Sequence, residues 1–320
     1  MGSLEKVFIE PFVNLNKIDI EPIFLIGPPR SGTTIIAQWF IHYLDQPKTY
    51  ISRITDLYPD AVLLLNTILN DSFVKNNIMS MNKYGQMVGL KSMAEGNRLW
   101  PWYIDSLQEK DIKQFRHIYD RTDYSIDNII TPNVSSFLNN VLKKQCLFYK
   151  TNLLINKSTH NTTKVLELKE LFPKSRFIGI IRDGRYVTKS LLRARKEILG
   201  DKEKWWNTKP SIFNEIKNMK PHLSCARQWS GLLTDLENQF ELLEEKDYGY
   251  IRYIDFINNP QKELQKLYKK FDLKYNLNTK YNYLLNAPKD VSTLFTKNIL
   301  KQIEDEIGQT LRKWDYKIDA

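Results

Sequence analysis

One segment near the start of this 320-residue chain organises the rest: Ile23-Phe24-Leu25-Ile26-Gly27-Pro28-Pro29-Arg30-Ser31-Gly32-Thr33-Thr34. Its four leading apolar residues predict a short buried strand, and the two glycines bound a tight loop. Apolar residues at helical spacing follow, so a helix is expected to begin at the end of the loop. Because the first N–H groups of a helix lack intrahelical partners and the helix dipole adds partial positive charge, this arrangement predicts an anion-binding site.

The spacing from Gly27 to Gly32 matches that of a P-loop, but the residue after Gly32 differs. A nucleoside-triphosphate P-loop has Lys at that position, whereas this chain has Thr33. The cation here is Arg30, inside the loop, and hydroxyls follow at Thr33 and Thr34. A forked guanidinium with hydroxyls suits an anion that carries less charge than a triphosphate, such as a phosphosulfate.

The loop Pro29-Arg30-Ser31-Gly32-Thr33-Thr34 resembles the 5′-phosphosulfate loop of the sulfotransferases that use 3′-phosphoadenosine-5′-phosphosulfate (PAPS), a superfamily with a soluble bacterial type. That resemblance implies that the 5′-phosphosulfate is bound by Arg30, Ser31, Gly32, Thr33 and Thr34.

A second segment carries an arginine and a serine eight residues apart, Arg182 and Ser190. The predicted strand Arg176–Ile181 delivers Arg182 at its carboxyl end, and Ser190 lies about two turns into the next helix. Ligands of open α/β sheets gather at such carboxyl ends, and Arg with a hydroxyl suits a phosphate. The family resemblance implies that this pair binds the 3′-phosphate of PAPS. Gly184 stands where the family usually has Pro, a mild departure because Gly also permits the turn.

Two further positions take roles from the same resemblance. Lys157, in Asn156-Lys157-Ser158-Thr159-His160-Asn161, matches the family's cation near the bridging oxygen, where it would stabilise charge on the leaving bisphosphate. Tyr253, in the segment 250–256, matches a residue close to the adenine. The Glu of that family pattern is Ile254 here, so any role of that Glu is lost or moved.

The acceptor must lose a proton as it attacks sulfur, and a positioned His or carboxylate usually takes that proton. Glu95 is the first choice because it precedes the aromatic residues Trp100, Trp102 and Tyr103. His160, close to Lys157 in sequence, is the second, and Asp56 and His42 are weaker alternatives.

Strands alternating with helices favour an α/β fold, P-loop-like and three-layered, with a central parallel sheet flanked by helices. The sequence predicts a single domain over residues 1–320, with a helical or irregular insertion at about 60–145 that forms part of the acceptor pocket. Predicted strands besides those at 23–26 and 176–181 are Val7–Ile9, Cys146–Tyr149 and Tyr250–Tyr253. Predicted helices are Ile104–Ile118, Pro132–Leu142 with Thr131 as cap, Asn161–Leu171, one from about Gly184 to Lys196, Leu223–Leu243, Pro260–Phe271 and Asn298–Leu311.

Composition limits the classes of function. The net charge is +10 and the pI about 9.3, but lysines are scattered rather than blocked, which argues against a nucleic-acid binder and suits a site for a polyanionic ligand. Two cysteines provide neither a disulfide framework nor a zinc site, so a reducing, cytoplasmic setting is expected. No membrane span and no metal are expected, and a homo-oligomer is left open.

These features predict a sulfotransferase that moves the sulfuryl group of PAPS to a hydroxyl or amine and leaves adenosine 3′,5′-bisphosphate (PAP). A small-molecule metabolite is the favoured acceptor, with a glycan or lipid-linked sugar as the alternative. The competing interpretation is a P-loop kinase with a degenerate Walker loop, which would need ATP and Mg²⁺. A nucleic-acid binder, suggested only by net charge, ranks third.

Overall fold

The computed structural model describes residues 2–69, 79–81, 87–97, 99–100, 132–279, 281 and 290–318. The strands are β1 Glu21–Ile26, β2 Thr49–Tyr50, β3 Met79–Met81, β4 Met87–Gly89, β5 Leu153–Lys157, β6 Arg176–Ile181 and β7 Tyr248–Arg252. The helices are α1 Gly2–Phe8, α2 Thr33–Tyr43, α3 Arg53–Leu57, α4 Val62–Ile68, α5 Pro132–Phe148, α6 Val165–Leu171, α7 Gly184–Leu199, α8 Phe213–Ile216, α9 Pro221–Phe240, α10 Tyr253–Asn258, α11 Pro260–Lys270 and α12 Lys297–Lys313.

Five strands form a parallel sheet in the order β2-β5-β1-β6-β7, and helices flank it. In the β6–β7 pair, for example, Phe177 lies opposite Tyr248 and Ile181 opposite Arg252. Most neighbours in the sheet are distant in sequence, as expected when crossover helices join parallel strands. β1, β5 and β6 are almost fully buried, which explains their nearly continuous apolar sequences. The predicted α/β fold with a central parallel sheet is confirmed.

The predicted strand Cys146–Tyr149 is wrong. Residues 146–148 are instead the last turn of α5, which runs from Pro132 to Phe148. The buried positions Val134, Leu138 and Val141 continue in helical spacing to Cys146, so this short apolar run completes a helical face. The true strand, β5, begins at Leu153.

The predicted edge strand Val7–Ile9 is also wrong, because Gly2–Phe8 forms the helix α1. Alternation over three residues is too short to separate strand from helix. Tyr253 belongs not to β7 but to the first turn of α10, since the strand ends at Arg252. The other predicted helices within the described residues are present, with ends shifted by a few residues; the one predicted at 161–171 is a 3₁₀ turn, Thr159–Thr163, followed by α6.

Residue contacts divide the chain into two compact units, and nothing in them decides between one domain and two. The first unit comprises residues 1–24, 47–157 and 167–175, and the second comprises 25–46, 158–166 and 176–320. In the first unit the ring of Phe24 packs against Trp100 and Phe172, with ring centres 6.0 and 6.3 Å apart. In the second unit one core cluster contains Trp229 of α9, packed with Ile181, Leu191 and Ile307.

Several predicted features lie outside the described residues. They are the helix at 104–118, the cap at Thr131, and the aromatic residues Trp102 and Tyr103. Within the described parts of the predicted insertion are α4, the antiparallel pair β3–β4 and most of α5. Among the described helices, none combines the length and the apolar character needed to span a bilayer.

Candidate functional site

The loop after β1 has the backbone geometry of an anion-binding turn. Gly27, Arg30 and Gly32 all have positive φ angles, of 143°, 72° and 94°. Such a conformation is ordinary for glycine but strained for arginine, and strain of this kind is concentrated at functional sites. Gly32 caps α2, so the first turn of that helix, which starts at Thr33, follows the loop directly.

A buried threonine fixes the start of this loop. The N–H of Gly27 donates to Thr162 Oγ1 at 2.9 Å, and the same hydroxyl lies 3.0 Å from the Gly27 carbonyl oxygen. Thr162 has no exposed surface and belongs to the 3₁₀ turn Thr159–Thr163. Sequence reasoning passed over Thr162, because its contact with Gly27 spans 135 residues of sequence.

The loop also satisfies a simple test for an anionic ligand. Ser31 is fully buried, and its Oγ has no hydrogen-bond partner among the described residues. Buried hydroxyls normally have partners, so an unpaired one beside a helix N-terminus fits a ligand oxygen. Gly32 lies so close to Tyr253 that a Cβ would come within 2.6 Å of its ring, which places this tyrosine directly over the loop.

The two sequence segments predicted to bind one nucleotide meet in the second unit. Arg30 Nε donates a hydrogen bond to Ser190 Oγ at 2.8 Å, although the residues are 160 positions apart. Ser190 lies on α7, the helix that follows β6. The hydrogen bond therefore places the loop cation beside the hydroxyl of the second motif, as both predictions require.

Arg182 lies at the same place, between aromatic rings. Its guanidinium carbon is 4.4 Å from the ring centre of Tyr253 and 5.7 Å from that of Tyr186. The indole N–H of buried Trp229 donates to the Arg182 carbonyl at 3.0 Å, which holds the backbone. The same indole explains Gly184, because a Cβ there would lie 2.5 Å from the Trp229 ring. Proline, usual in the family at this position, would not fit.

A cavity of about 980 Å³, a size suited to a nucleotide, lies within the second unit. Arg30, Arg182 and Ser190 all line it. Its remaining basic residues are Lys189, Arg193, Lys196, Lys202 and His222. No carboxylate is among the described residues that line it, so the cavity is strongly electropositive.

Sequence reasoning missed most of these basic residues. Lys189, Arg193 and Lys196 follow Arg182 and Tyr186 at intervals of three or four residues, so they share one face of α7. This periodicity was available in the sequence and marks the helix face that lines the cavity. Residues 293–295 and Ile299 also line the cavity, and the ring centre of Phe295 is 5.0 Å from the Lys189 ammonium. These residues belong to no sequence motif, so their place in the cavity could not be predicted.

Two predicted catalytic residues, Lys157 and Glu95, form an ion pair in the first unit. Lys157, the last residue of β5, is almost buried, and its Nζ contacts Glu95 Oε1. The Glu95 carbonyl accepts hydrogen bonds from the Trp100 indole at 2.9 Å and from Asn156 Nδ2 at 3.2 Å. Trp100 is 1% exposed, so it belongs to the core of this unit rather than to the wall of an acceptor pocket.

The other candidate bases have less distinctive surroundings. His160 is buried in the 3₁₀ turn of the second unit that also contains Thr162. His42, on α2, stacks on Tyr281 with ring centres 4.5 Å apart. Asp56 lies on α3. Nothing in this geometry selects one of these three as a proton acceptor.

Another arginine of α7, Arg195, supports the segment around Trp205 and Trp206. It is 1% exposed, its guanidinium carbon lies 4.9 Å from the Trp205 ring centre, and it donates to Gln228 Oε1 at 3.1 Å. Burial lowers the pKa of Arg195 from its ordinary value. Gln228 in turn donates to the carbonyls of Trp206 and Thr208. Arg195 thus holds this segment in place and does not face the cavity.

Comparisons with known proteins identify the family of this chain. The sequence profile of the Sulfotransferase family matches residues 22–276, which include the loop, Arg182, Ser190 and Tyr253. A relative in Caenorhabditis elegans, protein-tyrosine sulfotransferase A, is 22% identical over 162 residues. This match covers 50% of the chain but only 38% of the length of that relative.

Solved structures show the same fold. Sulfotransferase STF9 from Mycobacterium avium superposes with a TM-score of 0.57 at 12% identity, over 99% of this chain and 82% of its own. Sulfotransferase STF1 from Mycobacterium tuberculosis H37Rv gives a TM-score of 0.56 at 13% identity, over 96% of this chain and 80% of its own. At these identities the likeness supports the fold alone.

Proposed function

Because this chain belongs to the Sulfotransferase family, we propose that it transfers the sulfuryl group of PAPS to a hydroxyl or amine of an acceptor and releases PAP. The proposal rests on one observation above the others. Arg30 of the loop and Ser190 of α7 are hydrogen-bonded at 2.8 Å, and both line one cavity together with Arg182. Two motifs that are distant in sequence, each with one arginine, therefore line one cavity, which is what a nucleotide with two separate anionic groups would require.

In this proposal the loop binds the 5′-phosphosulfate. The N–H groups of the first turn of α2, the Arg30 guanidinium and the unpaired Ser31 hydroxyl are the donors. Thr33 and Thr34 add their hydroxyls at the helix N-terminus. These donors are held by the fold before the ligand binds, so little reorganisation is needed when negative charge shifts towards the leaving phosphate.

Arg182 and Ser190 bind the 3′-phosphate, and Tyr253 contacts the adenosine. Arg182 needs no carboxylate partner for this role, and among the described residues it has none. Its neighbours are the rings of Tyr253 and Tyr186, which orient a guanidinium without neutralising it. When bound, PAPS supplies the activated sulfuryl group; the protein supplies position and charge.

Lys157 stabilises the developing negative charge, and Glu95 or His160 accepts the acceptor proton. The contact between Lys157 Nζ and Glu95 Oε1 brings the proposed cation and the first candidate base side by side. A small-molecule acceptor, a cytoplasmic location and independence of metal remain part of the proposal, and a homo-oligomer is left open. Glycans and lipid-linked sugars are the alternative acceptors.

The test compares ligands on the unaltered protein. A ligand present at a hundred times its Kd adds about 2.7 kcal/mol to the stability of the folded state, which a thermal scan detects easily. We expect PAP without metal to raise Tm, 5′-AMP to raise it less, and ATP with Mg²⁺ to leave it unchanged. Labelled sulfate from PAPS should then appear in products of a metabolite extract.

The same scan distinguishes the alternatives. Stabilisation by ATP with Mg²⁺, but not by PAP, would support the kinase interpretation instead. Salt-sensitive binding of arbitrary DNA, with neither nucleotide effective, would support a nucleic-acid binder. Glu95→Gln and His160→Ala separate the two candidate bases, and full sulfate transfer in both variants would remove both assignments.

A further inference from the structure

Asn207, in the segment after α7, has a left-handed backbone, with a φ angle of 70°. Asparagine tolerates this conformation better than most residues, but only glycine adopts it without strain. Local contacts hold it: the indole N–H of Trp205 donates to the Asn207 carbonyl at 2.9 Å. Because glycine would suit this backbone better, the side chain of Asn207 contributes through its contacts.

Those contacts converge on one atom, the carboxamide oxygen. Asn207 Oδ1 accepts the N–H of Thr208 at 2.8 Å and the hydroxyl of Thr159 at 3.0 Å, and it lies 2.9 Å from Thr208 Oγ1. Thr159 and Thr208 are each 4% exposed, so these contacts are shielded from water. Thr159 is the first residue of the 3₁₀ turn Thr159–Thr163. Asn207 therefore holds the start of that turn, from 48 positions away in sequence.

The turn passes this contact on to the loop after β1. The carbonyl of Thr159 lies 2.7 Å from Thr162 Oγ1, and the hydroxyl of Thr162 accepts the N–H of Gly27 at 2.9 Å. Two residues thus connect Asn207 to the loop, and every link is 3.0 Å or shorter. All four residues belong to the second unit. Fully satisfied buried networks of this kind make a structure rigid and specify its position.

The other side of the segment is fixed to two helices. Gln228 of α9, which is fully buried, donates to the carbonyls of Trp206 and Thr208 at 3.0 and 2.9 Å. Arg195 of α7 lies 4.9 Å from the ring centre of Trp205. The segment that presents Asn207 to the turn is therefore itself held in place.

We propose that Asn207 is a positioning residue, which fixes the Gly27 end of the loop through Thr159 and Thr162. The loop donors are then aligned with the 5′ end of the nucleotide before it binds, so less reorganisation is needed on binding. This role in binding rests on the function proposed above. In the contacts that carry the proposal the carboxamide is only an acceptor, so an aspartate at this position could make them as well.

Hydrogen exchange with mass spectrometry tests the positioning role in the full chain without ligand. Asn207→Gly removes the carboxamide but suits the left-handed backbone, so this variant should fold. We expect amide exchange at least about fivefold faster in peptides that contain Gly27 and in those covering residues 159–163, because local opening becomes easier. Exchange in β6 and β7 should stay as in the wild type.

Two further variants control for charge and strain. Asn207→Asp keeps an accepting oxygen and should exchange at a rate close to that of the wild type. Asp272→Gly makes a similar change at an exposed residue of the same unit, with a φ angle of 50°, and should leave the loop unaffected. Unchanged exchange in Asn207→Gly, or an equal rise in β6 and β7, would overturn the proposal. So would an Asn207→Asp variant that exchanges as fast as Asn207→Gly.

Calorimetric titration tests the consequence for the ligand. Asn207→Gly should lower PAP affinity about threefold or more, because part of the protein must reorder the loop before binding. Affinity for adenosine 3′-monophosphate, which lacks the 5′-phosphate, should not change. Faster exchange with normal PAP affinity, or equal losses for both nucleotides, would overturn the role of Asn207 in binding. Absence of PAP binding by the wild type would refute the proposed function, whereas the exchange comparison would still decide whether Asn207 positions the loop.

Discussion

Arg182 and Arg185 lie three residues apart at the junction of β6 and α7, yet their surroundings are opposite. Arg185 is buried and pairs with Asp183 at 2.7 Å and with Glu304 of α12 at 2.6 Å. Arg182 lines the cavity, and among the described residues it contacts aromatic rings but no carboxylate. One guanidinium is neutralised by the fold, and the other lines the cavity in which we propose that the nucleotide binds.

The pKa of Arg185 reflects this difference. Burial alone would lower it, but the hydrogen bonds and charges of Asp183 and Glu304 outweigh burial and raise it. Such a residue is part of the scaffold, because both carboxylates lose their partner if it is removed. The comparison teaches that neighbouring carboxylates distinguish the two kinds of arginine in this chain. An arginine paired with carboxylates supports the fold, and one without them is a candidate for ligand binding.

The largest expected effect is on stability, from Arg185→Ala. Breaking a buried ion pair from one side costs about 3–5 kcal/mol, a large part of the stability of an ordinary protein. Urea unfolding should show this loss in the midpoint. If that variant fails to fold, Arg185→Lys provides a second test. Lysine keeps the positive charge but lacks the planar guanidinium that contacts both carboxylates, so its urea midpoint should be lower than that of the wild type.

The control for this prediction lies on the same helix. Arg193 is 63% exposed and pairs only weakly with Glu197, at 3.7 Å. Arg193→Ala should therefore change the stability by less than about 0.5 kcal/mol. Equal losses from Arg185→Ala and Arg193→Ala would contradict the scaffold role of Arg185.

Arg182→Ala should weaken ligand binding and leave the stability of the protein almost unchanged. Losing a charge-assisted contact to phosphate costs about 1.5–3 kcal/mol, which weakens PAP binding about 10- to 100-fold. The urea midpoint should stay close to that of the wild type. Calorimetric titration with 5′-AMP, which lacks the 3′-phosphate, provides the control, because its affinity should hardly change. A variant that binds PAP normally would remove Arg182 from the site.

Tyr253→Leu should have a smaller effect through the same arginine. It removes the ring that lies 4.4 Å from the Arg182 guanidinium, a contact of about 1 kcal/mol, so PAP affinity should fall about fivefold. Because the two residues act together, the double variant Arg182→Ala, Tyr253→Leu should lose less than the sum of the single losses. Strict additivity in the titration would show that Tyr253 acts independently of Arg182.

Ser190→Ala should have the smallest effect. It removes the hydroxyl that accepts a hydrogen bond from the Arg30 guanidinium at 2.8 Å, a contact of about 1 kcal/mol. PAP affinity should fall up to about fivefold, and the unfolding midpoint should fall only slightly. Thr234→Ala is a suitable comparison, since its hydroxyl donates only to a carbonyl within its own helix, Ser230 O at 3.1 Å. A loss in that variant equal to the loss in Ser190→Ala would refute a specific role for Ser190.

Features that depend on local sequence pattern could be predicted from the sequence. Glycine positions, the apolar run of β1 and the spacing from Arg182 to Ser190 were sufficient to predict the central parallel sheet and the motifs that share the cavity. Each depends on backbone conformation or periodicity, which neighbouring residues determine.

Long-range contacts could not be predicted. The apolar run at 146–148 has the composition of a strand, and only its packing within α5 makes it helical. The pairing of Lys157 with Glu95 joins residues 62 positions apart. Thr162 has no sequence signature at all, since its importance lies entirely in the Gly27 backbone that it contacts.

The left-handed backbone of Arg30, with φ of 72°, has a consequence for attempts to make this protein more robust. A side chain in that conformation costs on the order of 1 kcal/mol relative to glycine, so Arg30→Gly is among the first substitutions that a thermostabilising design would select. In the function that we propose, that design would gain stability but lose the Arg30 contact to the phosphosulfate. Tolerance to heat and recognition of that ligand would then oppose each other at this position.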